Sequence, residues 1–117
     1  CQIADCLNVT LKNLSLGVRK RVALADVLLL RPRVLLLDDF LAGLDAPLRR
    51  AAGDILSNAA AFSSVIVTGH ELDDFAKWTT RFLVLRNGVV SAEVETTGLE
   101  PQPLRARLDQ ALEGAPR

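Results

Sequence analysis

Apolar residues at Val18, Val22, Ala25 and Leu29 recur at intervals of 4, 3 and 4, the spacing of one stripe along a helix. Ser15 stands where an N-cap belongs, and Pro32 requires that helix to have ended before it. The pattern then changes to an unbroken apolar run, Val34-Leu35-Leu36-Leu37, that stops at Asp38-Asp39. A strand apolar at every position predicts cover on both faces, as in a parallel α/β sheet. Asp45 is a second N-cap candidate, with Pro47 in the first helical turn, where its missing N–H costs nothing. Leu48, Ala51, Ala52, Ile55, Leu56 and Ala59 continue at helical spacing. A second apolar strand, Val65-Ile66-Val67-Thr68, runs into Gly69-His70. Strand, helix, strand in this order is a βαβ unit.

Downstream, Glu71 to Trp78 predicts a short helix. Phe82-Leu83-Val84-Leu85 and Val89 to Val94 flank Arg86-Asn87-Gly88, where Asn-Gly suits a tight hairpin turn. After Pro101 and Pro103, leucines four apart at Leu104, Leu108 and Leu112 predict a last amphipathic helix. The first 13 residues carry weak periodicity and read as a loop or a helix end. The fold class is α/β: a mostly parallel sheet flanked by helices, with a small antiparallel hairpin.

A length of 117 residues fits one compact domain. Half the residues are hydrophobic (50%) and 24% are charged, the balance of a globular chain. Lys+Arg and Asp+Glu both number 14, for a net charge of +0, which weighs against non-specific attraction to nucleic acid or an anionic membrane. Cys1 and Cys6 are too few for a disulfide framework and have no nearby His for a structural zinc site, so a reducing, cytosolic setting is expected. The chain has 0 Met and opens on Cys1, which reads as a piece of something longer. The longest apolar stretches, at 27–30 and 34–37, are too short to cross a bilayer.

In open α/β sheets, ligands sit beyond the carboxyl ends of the strands. Asp38, Asp39 and His70 fall at two such ends of the one βαβ unit. Neighbouring residues of an extended strand point opposite ways, so the two aspartates take different roles. One suits a hydrated Mg²⁺, and the other suits a water to be oriented. The run from Leu14 to Val18 offers a hydroxyl, a glycine and unpartnered N–H groups at a helix start, the parts of an anion site. Arg19-Lys20-Arg21 reads as a solvated face.

With these pieces in one order, the chain resembles the ATP-binding-cassette (ABC) ATPase family, in the C-terminal half of its nucleotide-binding domain. The segment Leu14 to Ala25 looks like the family signature, LSGGQ, and its following helix. Val34 to Asp39 looks like Walker B with the adjoining catalytic carboxylate. Ala42-Gly43-Leu44-Asp45 is similar to the D-loop, and Val67-Thr68-Gly69-His70 to the switch histidine. The hairpin with Leu85-Arg86-Asn87-Gly88 also matches what the family shows there. The resemblance runs from about Leu14 to Val94. It implies a P-loop NTPase fold, with residues 1–98 in the nucleotide-binding domain and 99–117 a C-terminal helix and tail.

The resemblance also implies roles. Ser15 and Gly17 would contact the γ-phosphate of an ATP bound mainly by the opposite protomer. Asp38 would hold Mg²⁺ through water, Asp39 would polarise the attacking water, and His70 would contact the γ-phosphate. Asp45 would couple the two sites across the dimer. Expected partners are a second nucleotide-binding domain and transmembrane transporter subunits, with no nucleic acid, at the cytoplasmic face of a membrane.

Three departures qualify that picture. Leu16 and Val18 replace a Gly and the Gln of the common signature. Asp39 stands for the family's Glu, and Phe40 for its usual Pro. A carboxylate one methylene shorter predicts slow hydrolysis, because a misplacement of about 1 Å costs on the order of a hundredfold in rate. No G-x-x-x-x-G-K-[ST] run occurs in the 117 residues, so the chain alone is expected neither to bind ATP tightly nor to hydrolyse it. A degenerate, non-hydrolysing module and a soluble, non-transport ABC ATPase are the alternatives.

Overall fold

The computed structural model describes Ala4, residues 8–96 and residues 101–113. A 3₁₀ turn at Leu11–Asn13 leads into α1 (Leu16–Leu29), β1 (Val34–Leu37), α2 (Ala46–Ala59) and β2 (Ser64–Val67). There follow α3 (Leu72–Phe75), β3 (Arg81–Arg86), β4 (Val89–Glu95) and α4 (Pro101–Glu113). The chain divides into two compact units, Cys1–Glu71 and Leu72–Arg117, although its length alone suggests one. The α/β class and the element types match the expectation.

In the first unit, β1 and β2 pair in parallel, with Leu35 opposite Val65 and Leu37 opposite Val67. Helix α2 is the crossover between them. It opens as expected on Asp45, whose carboxylate accepts the Leu48 N–H at 2.9 Å, with Pro47 in the first turn. Its apolar stripe buries Ala52, Leu56 and Ala59. With Leu24, Leu35, Phe40, Leu41 and Leu44, these form the core of this unit. Ser63 closes the return from α2 by donating its hydroxyl to the Pro32 carbonyl at 2.5 Å.

The structure departs from the sequence pattern in two places. Helix α1 buries the stripe from Val18 to Leu29 only in part: Val18, Val22 and Ala25 are half-buried. Gly17 and Leu24 are its buried residues, and Leu29 is 82% exposed. The reason is steric. Gly17 lies so near α2 that a Cβ there would sit 2.5 Å from Leu48 Cδ1, and this contact rotates the buried stripe onto Gly17 and Leu24. Nor is the parallel sheet covered on both faces by the described residues. Leu35 is buried, whereas Val34, Leu36 and Ile66 are all more than half exposed.

In the second unit, β3 and β4 form the expected antiparallel hairpin, with Arg86 opposite Val89 and an irregularity between Val84 and Leu85. Asn87 and Gly88 both have positive φ, 50° and 77°, the requirement of a two-residue type I′ turn. The predicted helix from Glu71 to Trp78 is shorter than expected: α3 covers Leu72–Phe75, and turns continue it. Leu104 and Leu108 of α4 are 2% and 1% exposed and form this unit's core with Phe75 and Val84. The Leu112 side chain lies outside the described residues, as do Cys1 and Cys6. Among the described residues no helix is long and apolar enough to cross a membrane.

Candidate active site

Both parallel strands stop at the same end of the sheet, and their first residues beyond it meet. The Thr68 N–H donates to the Leu37 carbonyl at 2.9 Å, one rung past the regular ladder. Its hydroxyl donates to Asp38 Oδ1 at 2.5 Å and accepts the Asp39 N–H at 3.0 Å. One threonine thereby holds the carboxylate of the first aspartate and the main chain of the second.

Asp39 is not extended, as the strand argument assumed. Its φ is +46°, in the left-handed region. Asp tolerates that region better than most residues, at a cost of about 1–2 kcal/mol that surrounding contacts must offset. The divergence expected of Asp38 and Asp39 is present, but this main-chain turn produces it. Asp38 faces Thr68, whereas Asp39 shares a cluster with His70 and Glu71 whose ligand atoms all lie within 4.8 Å of one another. His70 is exposed, with Nε2 at 3.8 Å from Glu71 Oε1, and its N–H donates to Glu71 Oε2 at 3.2 Å.

The helix start forms a second group. Ser15 caps α1 by accepting the Val18 N–H at 3.3 Å, so its own hydroxyl proton is still available to an anion. Gly17 packs against Leu44 and Leu48, and Leu16 reaches within 3.2 Å of the position a Cβ on Gly43 would take. Gly43 has φ +73°, the left-handed region that favours glycine. The signature-like helix start thus rests directly on the turn that ends in Asp45.

Three residues at the site carry more than the sequence reading gave them. Thr68 bridges the two aspartates, and Glu71 joins the Asp39–His70 cluster. Lys20 is no solvated cation. Its Nζ donates to the Ala42 carbonyl at 2.6 Å, to Phe40 at 2.8 Å and to Asp39 at 3.4 Å, and lies 5.7 Å from the Phe40 ring centroid. A signal was present: position 20 lies three residues after Gly17 and four before Leu24, in the buried phase of α1.

Asp38 and the Thr68 hydroxyl make an oxygen-only setting at the strand ends, the donor chemistry that Mg²⁺ takes. The start of α1, with its N–H groups and the Ser15 hydroxyl, suits a phosphate.

No family model matches the chain. Curated relatives do. The energy-coupling factor transporter ATP-binding protein EcfA2 of Symbiobacterium thermophilum is 44% identical over 78 residues, covering 66% of this chain and 27% of that protein. The aliphatic sulfonates import ATP-binding protein SsuB 2 of Agrobacterium fabrum is 38% identical over 101 residues, 84% of this chain and 38% of that protein. Among solved structures, MJ1267, an ATP-binding cassette of an ABC transporter, matches with a TM-score of 0.73 over 90% of this chain and 41% of its own. At 21% identity that likeness is one of fold. The chain spans between 27% and 38% of the length of these two curated relatives.

Proposed function

This chain belongs to the ABC ATPase family, and we propose that it is the C-terminal part of a transporter's ATP-binding subunit. Residues 1–98 would complete the nucleotide-binding domain, and 99–117 would be its terminal helix and tail. The subunit pairs with a second nucleotide-binding domain and sits on the cytoplasmic face of a membrane through transmembrane partner subunits. Nucleic acid has no part in this reading, in keeping with the net charge of +0.

The observation that carries the proposal lies past the ends of two parallel strands, where Thr68 holds the Asp38 carboxylate and the Asp39 main chain, and Asp39 clusters with His70 and Glu71. Phosphoryl transfer asks the protein for positioned charge more than for covalent help. Asp39 orients the attacking water and withdraws its proton, while His70 reaches the γ-phosphate. Asp38 holds Mg²⁺ through water, and the ion, when bound, neutralises charge on the phosphate oxygens. Ser15 and Gly17 present a hydroxyl and main-chain N–H groups to the ATP of the opposite protomer. Asp45, tied into the cap of α2, communicates between the two sites.

The test is ATP hydrolysis by the intact subunit, in which this chain is joined to a phosphate-binding loop. Asp39→Asn and His70→Ala are expected to reduce turnover by on the order of a hundredfold or more. Wild-type turnover in both variants would defeat the assignment. The 117-residue chain alone should give no micromolar affinity in an ATP titration, since it contains no Gly-rich, lysine-bearing loop. Asp39 in place of a longer carboxylate favours one second reading, a module that binds nucleotide but turns it over poorly.

A further inference from the structure

We propose that Lys20 is a positioning residue for Asp39: from helix α1 it holds the left-handed turn that aims the Asp39 carboxylate at the site. Its catalytic consequence rests on the ATPase reading above, whereas the main-chain role does not.

Three main-chain carbonyls meet at one ammonium group. Asp39 adopts φ +46°, and after it the carbonyls of Asp39, Phe40 and Ala42 converge on Lys20 Nζ. A lysine has three protons and no acceptor, so three carbonyls match its donor capacity in full. In return, it supplies hydrogen bonds to main-chain oxygens that the turn has withdrawn from any regular ladder. The Phe40 side chain is buried and places its ring 5.7 Å from the same Nζ, a second attraction in the same direction.

Asp39 is consequently gripped from both sides. Its N–H is held by Thr68 and its carbonyl by Lys20, and that carbonyl also accepts the Ala42 N–H at 3.3 Å. Thr68 belongs to the end of β2, so it fixes where the turn starts. Lys20 belongs to α1, so it fixes how the turn closes. Because Ser15 and Gly17 begin that same helix, the lysine also makes a short physical link between the anion-binding helix start and the carboxylate.

The test is NMR on the isotope-labelled full chain, comparing it with Lys20→Met and Lys20→Arg. In the unmodified chain, Asp39 should show the Cα and Cβ shifts of a left-handed residue. Lys20→Met should abolish them and speed amide exchange at Ala42 about tenfold, and Lys20→Arg should restore much of both. Unchanged Asp39 shifts in Lys20→Met overturn the proposal. If Lys20→Met does not fold, the unmodified chain decides. A Lys20 ammonium resonance slow to exchange, with contacts to residues 39–42, upholds the role, and a freely exchanging one overturns it. In the intact ATPase, Lys20→Met should lower kcat about tenfold with KM for ATP changed less than about twofold, and Lys20→Arg should recover it. A unified fall in stability with kcat unchanged would make the lysine structural only and overturn its catalytic role. Absence of hydrolysis by the unmodified intact protein overturns the ATPase reading alone, and the Asp39 shifts still decide the lysine's role.

Discussion

Thr68 donates its hydroxyl proton to Oδ1 of Asp38. Each stands one residue past the end of its strand, with Leu37 and Val67 paired just before them. The same hydroxyl oxygen accepts the Asp39 N–H, so one side chain ties together both strand ends. Thr68→Val keeps the shape and removes both bonds. It should lower stability by about 0.5–1.5 kcal/mol, and Thr68→Ser should restore most of it. Urea unfolding midpoints measure both.

Asp45 and Ser15 are N-caps by geometry, whatever else they do. Asp45→Ala should cost about 1 kcal/mol and Asp45→Asn much less, because asparagine still accepts the Leu48 N–H. Equal losses for Ala and Asn in denaturant titrations would show that charge, not capping, is what Asp45 contributes.

Gly17 is confined by its neighbours as well as suited to a phosphate. An added Cβ meets Leu48 Cδ1 at 2.5 Å, the far end of a side chain that can turn aside. Gly17→Val should therefore destabilise by about 1–3 kcal/mol, and Leu48→Ala should relieve part of that loss when combined with it. A double-mutant cycle on thermal or urea unfolding measures the coupling, and strict additivity would contradict the contact.

On the ATPase reading proposed above, Asp39→Glu should raise ATP turnover by the intact protein, by up to on the order of a hundredfold if reach is what limits the shorter carboxylate. The same change should slightly lower stability, since Glu is less at ease than Asp with φ +46°. Steady-state kcat beside a melting curve separates the two effects. Unchanged or lower turnover would refute the reach argument.

In the second unit, two kinds of contact hold α4. Arg105 donates to Asp73 Oδ1 at 2.7 Å and to Asp109 at 3.3 Å, and these carboxylates raise its pKa above the ordinary value. A raised arginine pKa stabilises below the unfolded value and is lost only in strong alkali, so no dependence arises near neutral pH. The group is solvated, and Arg105→Ala should change the unfolding midpoint little, and still less at high salt. Leu108, 1% exposed, is the opposite case. Leu108→Ala should cost about 2–5 kcal/mol.

Period and punctuation made most of this molecule legible. The alternation of helical and all-apolar runs marked α1, β1, α2 and β2, because 3.6-residue and strand periodicities leave different traces. Asp45, Pro47, Asn87 and Gly88 set the ends of elements through local main-chain chemistry, which needs no tertiary partner. The order of motifs also located Asp38, Asp39 and His70 at strand ends, and the fold brings their surroundings together.

Tertiary packing decided the rest. Which stripe of α1 is buried depended on the approach of α2 to Gly17, a contact 31 positions away at Leu48 that periodicity does not register. The left-handed turn at Asp39 and the capture of Lys20 by three carbonyls arise only once α1 lies beside the end of β1. A basic triplet looks the same in sequence whether water or main-chain oxygen receives its protons. Geometry supplies the receiver, and with it the difference between a solvated charge and a fixed one.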